Sequence, residues 1–150
     1  MSRHILLDAG PLGLLTTPRS TPPVEAIRAW LIERRTAGDI VLVSEVADYE
    51  VRRELLRAGK ARGVRALDML AREIGYLPLS TLAMRQAAIF WSQLRRQGTP
   101  TAAPDALNDD VILAAQATLL AAAGHEVIVA TMNLGHLQRL VRAIQWQAIR

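Results

Sequence analysis

Short apolar runs alternate along this chain with longer stretches in which apolar residues recur every three or four positions. The first run, Ile5-Leu6-Leu7, ends at Asp8-Ala9-Gly10-Pro11, the pattern of a buried strand that turns directly into a helix. After a proline-rich loop from Pro18 to Pro23, Val24, Ile27, Leu31 and Ile32 fall at helical spacing among Arg28, Arg34 and Arg35, and Gly38 stops that helix after Thr36. Ile40-Val41-Leu42-Val43 is wholly apolar and mostly β-branched, hence a second buried strand, and Ser44 is placed to cap a helix running to about Ala58. A further amphipathic stretch from about Val64 to Ile74 stops near Gly75. Tyr76-Leu77-Pro78-Leu79 then reads as a short strand whose proline demands a sheet edge or a strand end.

The second half repeats the alternation. A helix from about Thr81 to Gln97 stops at Gly98-Thr99-Pro100, and a loop from Thr101 to Leu107 leads to Asn108 as an N-cap. The helix that Asp109 and Asp110 open is apolar nearly all round from Val111 to Ala117, so it is buried. Gly124 ends it. Glu126 to Ala130 makes another buried strand, Asn133 to Val141 a short helix, and Ile144 to Ile149 a final strand. Such alternation predicts an α/β fold with a parallel sheet covered by helices on both faces. No repeat or low-complexity tract interrupts it, and 150 residues of which 51% are hydrophobic fill one core, so one domain over 1–150 is expected.

Composition narrows the chemistry. Cysteine is absent, which excludes disulfides, thiolate metal sites and cysteine nucleophiles and leaves oxygen and imidazole donors, a set that suits hard cations. Asp8 interrupts the N-terminal apolar run, no cleavable small-residue pattern follows it, and no uncharged apolar run approaches the roughly 18 residues of a bilayer span. A cytoplasmic protein without a membrane partner is expected. Eighteen basic residues against 14 acidic ones give a formal charge of +4, and Lys60 is the only lysine. Arginine suits phosphate, which points towards nucleic acid, although codon usage in a GC-rich gene produces the same bias.

In open parallel sheets, ligands bind beyond the carboxyl ends of the strands. Asp8 ends the first strand, Glu50 lies about two turns into the helix after the second, Asp109 and Asp110 open the helix before the fourth, and Thr131-Met132-Asn133 ends that strand. Each acid also has a local explanation: Asp8 as a cap or Asx-turn residue, Glu50 as a partner of Arg53 or Arg57, and the Asp pair as anions favoured at a helix N-terminus. Jointly they mean more. Carboxylates within about 4 Å of one another repel by roughly 4 kcal/mol at the effective dielectric of a protein surface, a cost a cation removes. Oxygen donors of this kind favour Mg²⁺ or Mn²⁺. Adjacent helical residues point about 100° apart, so Asp109 and Asp110 cannot both face one crevice squarely.

The stretches LLDAGPL, SEVADYEVRREL, DDVILAAQA and VATMNLGHL, in this order and at this spacing, resemble the PIN domain family, and in particular its single-domain bacterial members that include VapC-type ribonuclease toxins. The resemblance runs from about Ile5 to Ile149. It implies a three-layer α/β/α sandwich around a central, mainly parallel five-stranded sheet. It places the family's metal-binding acids on Asp8, Glu50 and Asp110, selecting Asp110 over Asp109, with Glu54 as an adjacent acid. Thr131 and Asn133 fall at the end of the fourth strand. There the sequence departs from the many relatives that carry a fourth carboxylate, and this weakens the expected metal binding. His136 is expected on the surface or as a cap; His4 and His125, at strand beginnings, lie away from the crevice.

The activity so implied is Mg²⁺- or Mn²⁺-dependent hydrolysis of RNA phosphodiester bonds, with Asp8, Glu50 and Asp110 as metal ligands, Thr131 and Asn133 orienting water or phosphate, and Arg52, Arg53 and Arg57 available to flanking phosphates. The resemblance also implies dimerisation and, as in many bacterial members, a cognate antitoxin. The alternative is a catalytically weakened PIN-like domain that binds RNA or protein. A receiver-like phosphoacceptor is disfavoured, since it wants a lysine after a late strand and Lys60 follows an early helix.

Overall fold

The computed structural model describes residues 2–98 and 104–150, and side chains from Leu107 onward in the second segment. Five strands form one sheet: β1 (Arg3–Leu7), β2 (Ile40–Ser44), β3 (Tyr76–Leu77), β4 (Glu126–Thr131) and β5 (Ala143–Gln145). Their order is β3-β2-β1-β4-β5 and every pairing is parallel. The expected α/β/α sandwich is therefore present, with its sheet parallel throughout.

β1 lies at the centre, which is why Ile5, Leu6 and Leu7 are all fully buried. Their side chains alternate between faces. Ile5 and Leu7 join a core built with Ile27, Trp30 and Leu31 of α2 (Pro22–Thr36) and Leu67, Leu70 and Ile74 of α4 (Ala61–Ile74). Leu6 and Val129 pack on the other side against Leu113, Ala114 and Ala117 of α6 (Pro104–Ala122), and Ala87 and Leu94 of α5 (Thr81–Arg96) cover α6 in turn. α3 (Glu45–Arg57) reaches both cores, through Val46 on one side and Ala47 and Val51 on the other. Ser44 caps it, accepting from the Ala47 amide at 3.4 Å, as its sequence position predicts. The short β3 occupies a sheet edge, with Pro78 just beyond its end, where a missing N–H costs nothing. Among the described residues no helix is long and apolar enough to cross a membrane.

Four expectations are corrected. α6 starts at Pro104, so Asn108 is an exposed residue inside the helix and not its cap; proline is well suited to a first helical turn, where its missing N–H would have no partner. Asp109 and Asp110 accordingly sit in the second turn. The last strand stops at Gln145 and passes into a 3₁₀ turn, Trp146–Ala148, which tucks Trp146 edge-on against Trp30 at 5.8 Å between ring centroids. The helix after β4, α7, is only Leu137–Leu140. α2 and α4 begin at Pro22 and Ala61, two or three residues ahead of their apolar periodicity. The predicted stop at Gly98-Thr99-Pro100 and the following loop lie partly outside the described residues.

Candidate metal centre

The connection from β1 leads through α1 and α2 to β2 on one side, whereas β4 lies on the other, so the chain changes direction across the β1–β4 pair. Such a switch point opens a crevice at the carboxyl ends of the strands. Leu7 pairs with Ala130, which sets Asp8 and Thr131 side by side just past the ladder. The Asp8 amide donates to the Ala130 carbonyl at 2.9 Å. Asp8 also caps α1 (Ala9–Leu15): its Oδ1 accepts from the Ala9 amide at 2.8 Å. Its Oδ2 accepts from the hydroxyl of the fully buried Thr131 at 2.7 Å. Capping and membership of a site are thus combined in one carboxylate, and each oxygen keeps a lone pair for a further partner. Gly10 makes this approach tight, because a Cβ there would meet Met132 Sδ at 2.9 Å.

Around Asp8 stand three more acids. Glu50 comes from α3 and Asp109 and Asp110 from α6, and each of these acids feels the charge of Asp8, of Asp109 or of both. Burial, followed by Asp109 and Asp8, pushes Glu50 up to about 8, with a hydrogen bond to Asp109 holding its proton. Burial and the same two neighbours raise Asp110 to about 7. Asp8 is also raised, chiefly by burial, against the opposing pull of its Thr131 and Ala9 hydrogen bonds. One cation answers them: Arg53 donates to Asp109 Oδ2 at 2.9 Å while its guanidinium lies 5.0 Å from the Tyr49 ring centroid.

Asp8, Glu50 and Asp110, singled out in the sequence, are brought together, and Asp109, which the family pattern set aside, joins them. The fourth carboxylate near Asp8 thus comes from α6 and not from the end of β4. Adjacent residues do point different ways, yet both Asp109 and Asp110 lie within electrostatic reach of Asp8 from the second turn of α6. Asn133 takes another place than expected: its side chain is exposed, and its backbone N–H donates to Thr131 Oγ1 at 3.0 Å. Thr131 and Asn133 thus orient Asp8 in series. His136 is buried, not superficial, at the N-cap position of α7. His4 and His125 contact each other at the opposite, amino edge, with ring centroids 4.3 Å apart. Arg52 is held by Asp48 at 2.9 Å and Asp68 at 2.8 Å, and Arg57 by Glu54 at 2.7 Å.

The donor set is all oxygen and carries more negative charge than Arg53 balances, which suits a hard dication. Among the described residues no three acids or histidines are gathered closely enough to close a coordination shell by themselves. Mg²⁺ tolerates this, since it keeps several waters and takes only one or two carboxylates directly.

No family model and no curated protein matches the chain. Solved structures do. VapBC2 from Rickettsia felis, bound to a DNA fragment from their promoter, is similar at a TM-score of 0.71 and 12% identity over 94% of this chain and 97% of that chain. FitAcB from Neisseria gonorrhoeae gives 0.68 and 19% over 97% and 99%. DNA-bound VapBC from Salmonella typhimurium gives 0.64 and 22% over the same shares, 97% and 99%. At these identities the likeness is one of fold, and it extends over nearly the whole of each chain.

Proposed function

We propose that this chain, whose fold is the PIN-type α/β/α sandwich, is a Mg²⁺- or Mn²⁺-dependent ribonuclease that hydrolyses phosphodiester bonds in RNA. The observation that carries the reading is the convergence of Asp8, Glu50, Asp109 and Asp110 at the switch point of the sheet, where Asp8, Glu50 and Asp110 hold their protons above the ordinary carboxylate range. Asp8, Glu50 and Asp110 would hold the cation. Bound there, it supplies Lewis acidity that lowers the pKa of water and offsets charge on the scissile phosphate.

The chain's own residues do the rest. Thr131, fixed by the Asn133 backbone, aims Asp8 Oδ2 and is a positioning residue. Asp109 accepts a hydrogen bond from protonated Glu50 and anchors Arg53, whose half-exposed guanidinium is available to a phosphate at the rim. Glu50 gives up its proton when positive charge replaces it. The similar structures are VapBC and FitAcB assemblies; taken with the VapC-like motifs, they support a toxin role with a cognate antitoxin as protein partner, and a second copy of the chain as dimer mate rests on the motifs alone. The alternative reading is a weakened PIN-like domain, which would bind RNA or a protein partner without taking up Mn²⁺.

The test is cleavage of single-stranded RNA by purified protein in Mn²⁺. Wild type should cut, and Asp8→Asn should lose about 100-fold or more in rate. Undiminished cutting by Asp8→Asn would overturn the assignment.

A further inference from the structure

A groove leaves the acidic cluster on one side. Its first part, about 500 Å³, runs from Ala9, Gly10 and Glu50 between α1 and α3 to Lys60. A second part, about 410 Å³, shares Gly13, Thr16, Thr17, Leu55 and Lys60 with the first and continues past Pro18 to Arg62 and Gly63. Small residues, among them Gly10, Gly13, Ala58 and Gly59, line it, so a ligand backbone can approach closely. Gly63 keeps the α3–α4 junction tight, since a Cβ there would stand 2.7 Å from Leu55 Cδ2.

The charge of the walls changes along the groove: Glu50 and Glu54 line the end at the cluster, Arg57 is paired with Glu54, and Lys60 and Arg62 line the far end. Elsewhere among the described residues some cations are matched, Arg3 and Arg34 to Asp39, Arg35 to Glu73, Arg52 to Asp48 and Asp68, Arg142 to Glu126, and others such as Arg65, Arg72 and Arg85 are not, but those others do not line the groove. Among the described residues Lys60 and Arg62 take part in no ion pair. Two unpaired cations on a groove that opens onto a metal-binding cluster form an arrangement a polyanion completes.

Resting on the nuclease reading, we propose that a single RNA strand lies in this groove between α1 and the α3–α4 junction, and that Lys60 and Arg62 hold its phosphates beyond the scissile bond. From Glu50 to Arg57 the helix rises about 10 Å. A strand that follows α3 over that length comes to Lys60 and Arg62, which line the far end of the groove. An acidic protein segment fits less well, because it would bring carboxylates up to Glu50 and Glu54, whereas a phosphodiester at the cluster shares the cation held there.

The probe is a fluorescent 12-nucleotide single-stranded RNA of mixed sequence, titrated at several salt concentrations against the full chain carrying Asp8→Asn to prevent cutting. Adding Lys60→Ala and Arg62→Ala, both exposed positions, should weaken binding about tenfold. It should also flatten the dependence of log K on log salt by about 1.4, from two phosphate contacts at roughly 0.7 each. With Asp8 intact, the same pair should raise KM about tenfold with kcat nearly unchanged. The control pair Arg72→Ala and Arg85→Ala, also exposed, should move neither quantity. If wild type cuts RNA but affinity and salt slope survive the loss of Lys60 and Arg62, the groove inference fails and the nuclease reading stands. If a poly-glutamate peptide displaces the RNA at equal charge concentration, the groove is a protein-docking surface and the inference is equally overturned. Failure of wild type to bind or cut RNA at all sinks both.

Discussion

The two ends of the sheet handle charge in opposite ways. At the amino edge Asp39 accepts from Arg3 at 2.8 Å and from Arg34 at 3.4 Å, with Arg34 and Asp39 only 9% and 10% exposed. Each charge there has a partner, and the network ties β1, α2 and the entrance of β2 together. At the carboxyl edge Asp8, Glu50, Asp109 and Asp110 face one arginine, Arg53, and three of them hold protons above the ordinary range. The same residue types that fasten the fold at one end are gathered at a cost at the other. A fold tolerates such a cost where the missing countercharge is supplied from outside.

Removing an acid should therefore have opposite effects at the two ends. The largest change is expected from Asp39→Ala, which leaves the nearly buried Arg34 only the exposed Glu33 at 3.6 Å and should lower the unfolding free energy by about 3 kcal/mol in urea melts. An unchanged melt would show the network to be decorative. Glu50→Gln should instead raise the melting temperature of the metal-free protein by a few degrees near pH 8, where the carboxylate is costly, and leave it unchanged near pH 5, where Glu50 already carries a proton. Destabilisation by this substitution would mean that the cluster stabilises the fold.

Wild-type stability should show the same asymmetry as a pH dependence. Glu50 at about 8 and Asp110 at about 7 hold protons more tightly folded than unfolded, so their contribution is complete below about pH 4 and is lost as pH rises through 7 and 8. Thermal melts of metal-free protein should drop between about pH 5 and pH 8, and Mn²⁺ should remove most of that drop. The smallest effect is expected at Arg57→Ala, since the exposed Glu54–Arg57 pair lies in water and its loss should not shift the melting temperature measurably.

Much of this was legible in the sequence because burial on both faces of a central strand leaves a plain signature. Ile5-Leu6-Leu7 and Val41-Leu42-Val43 could be little else, and Asp8 ending the first of them already marked the crevice. Asp109 was not legible. A one-dimensional pattern ranks adjacent residues by resemblance, while in the structure both sit in the second turn of a helix that starts at Pro104 and both lie within electrostatic reach of Asp8. Asn108 looked like a cap because capping residues are common inside helices as well. The mistaken last strand has a similar origin: Ile144, Trp146 and Ile149 read as apolar positions of one extended segment, but a 3₁₀ turn carries Trp146 onto Trp30. The unpaired Lys60 and Arg62 could be counted in the sequence, yet their position on a groove depends on how α3 meets α4.

The central claim, that the carboxyl edge is short of positive charge and takes up a dication, is tested most directly by titrating Mn²⁺ into metal-free protein by calorimetry at two pH values. Saturable uptake is predicted, tighter near pH 8 than near pH 6 because Glu50 and Asp110 must release protons, and abolished by Asp8→Asn. Heats no larger than buffer dilution, or uptake indifferent to both pH and Asp8, would contradict it.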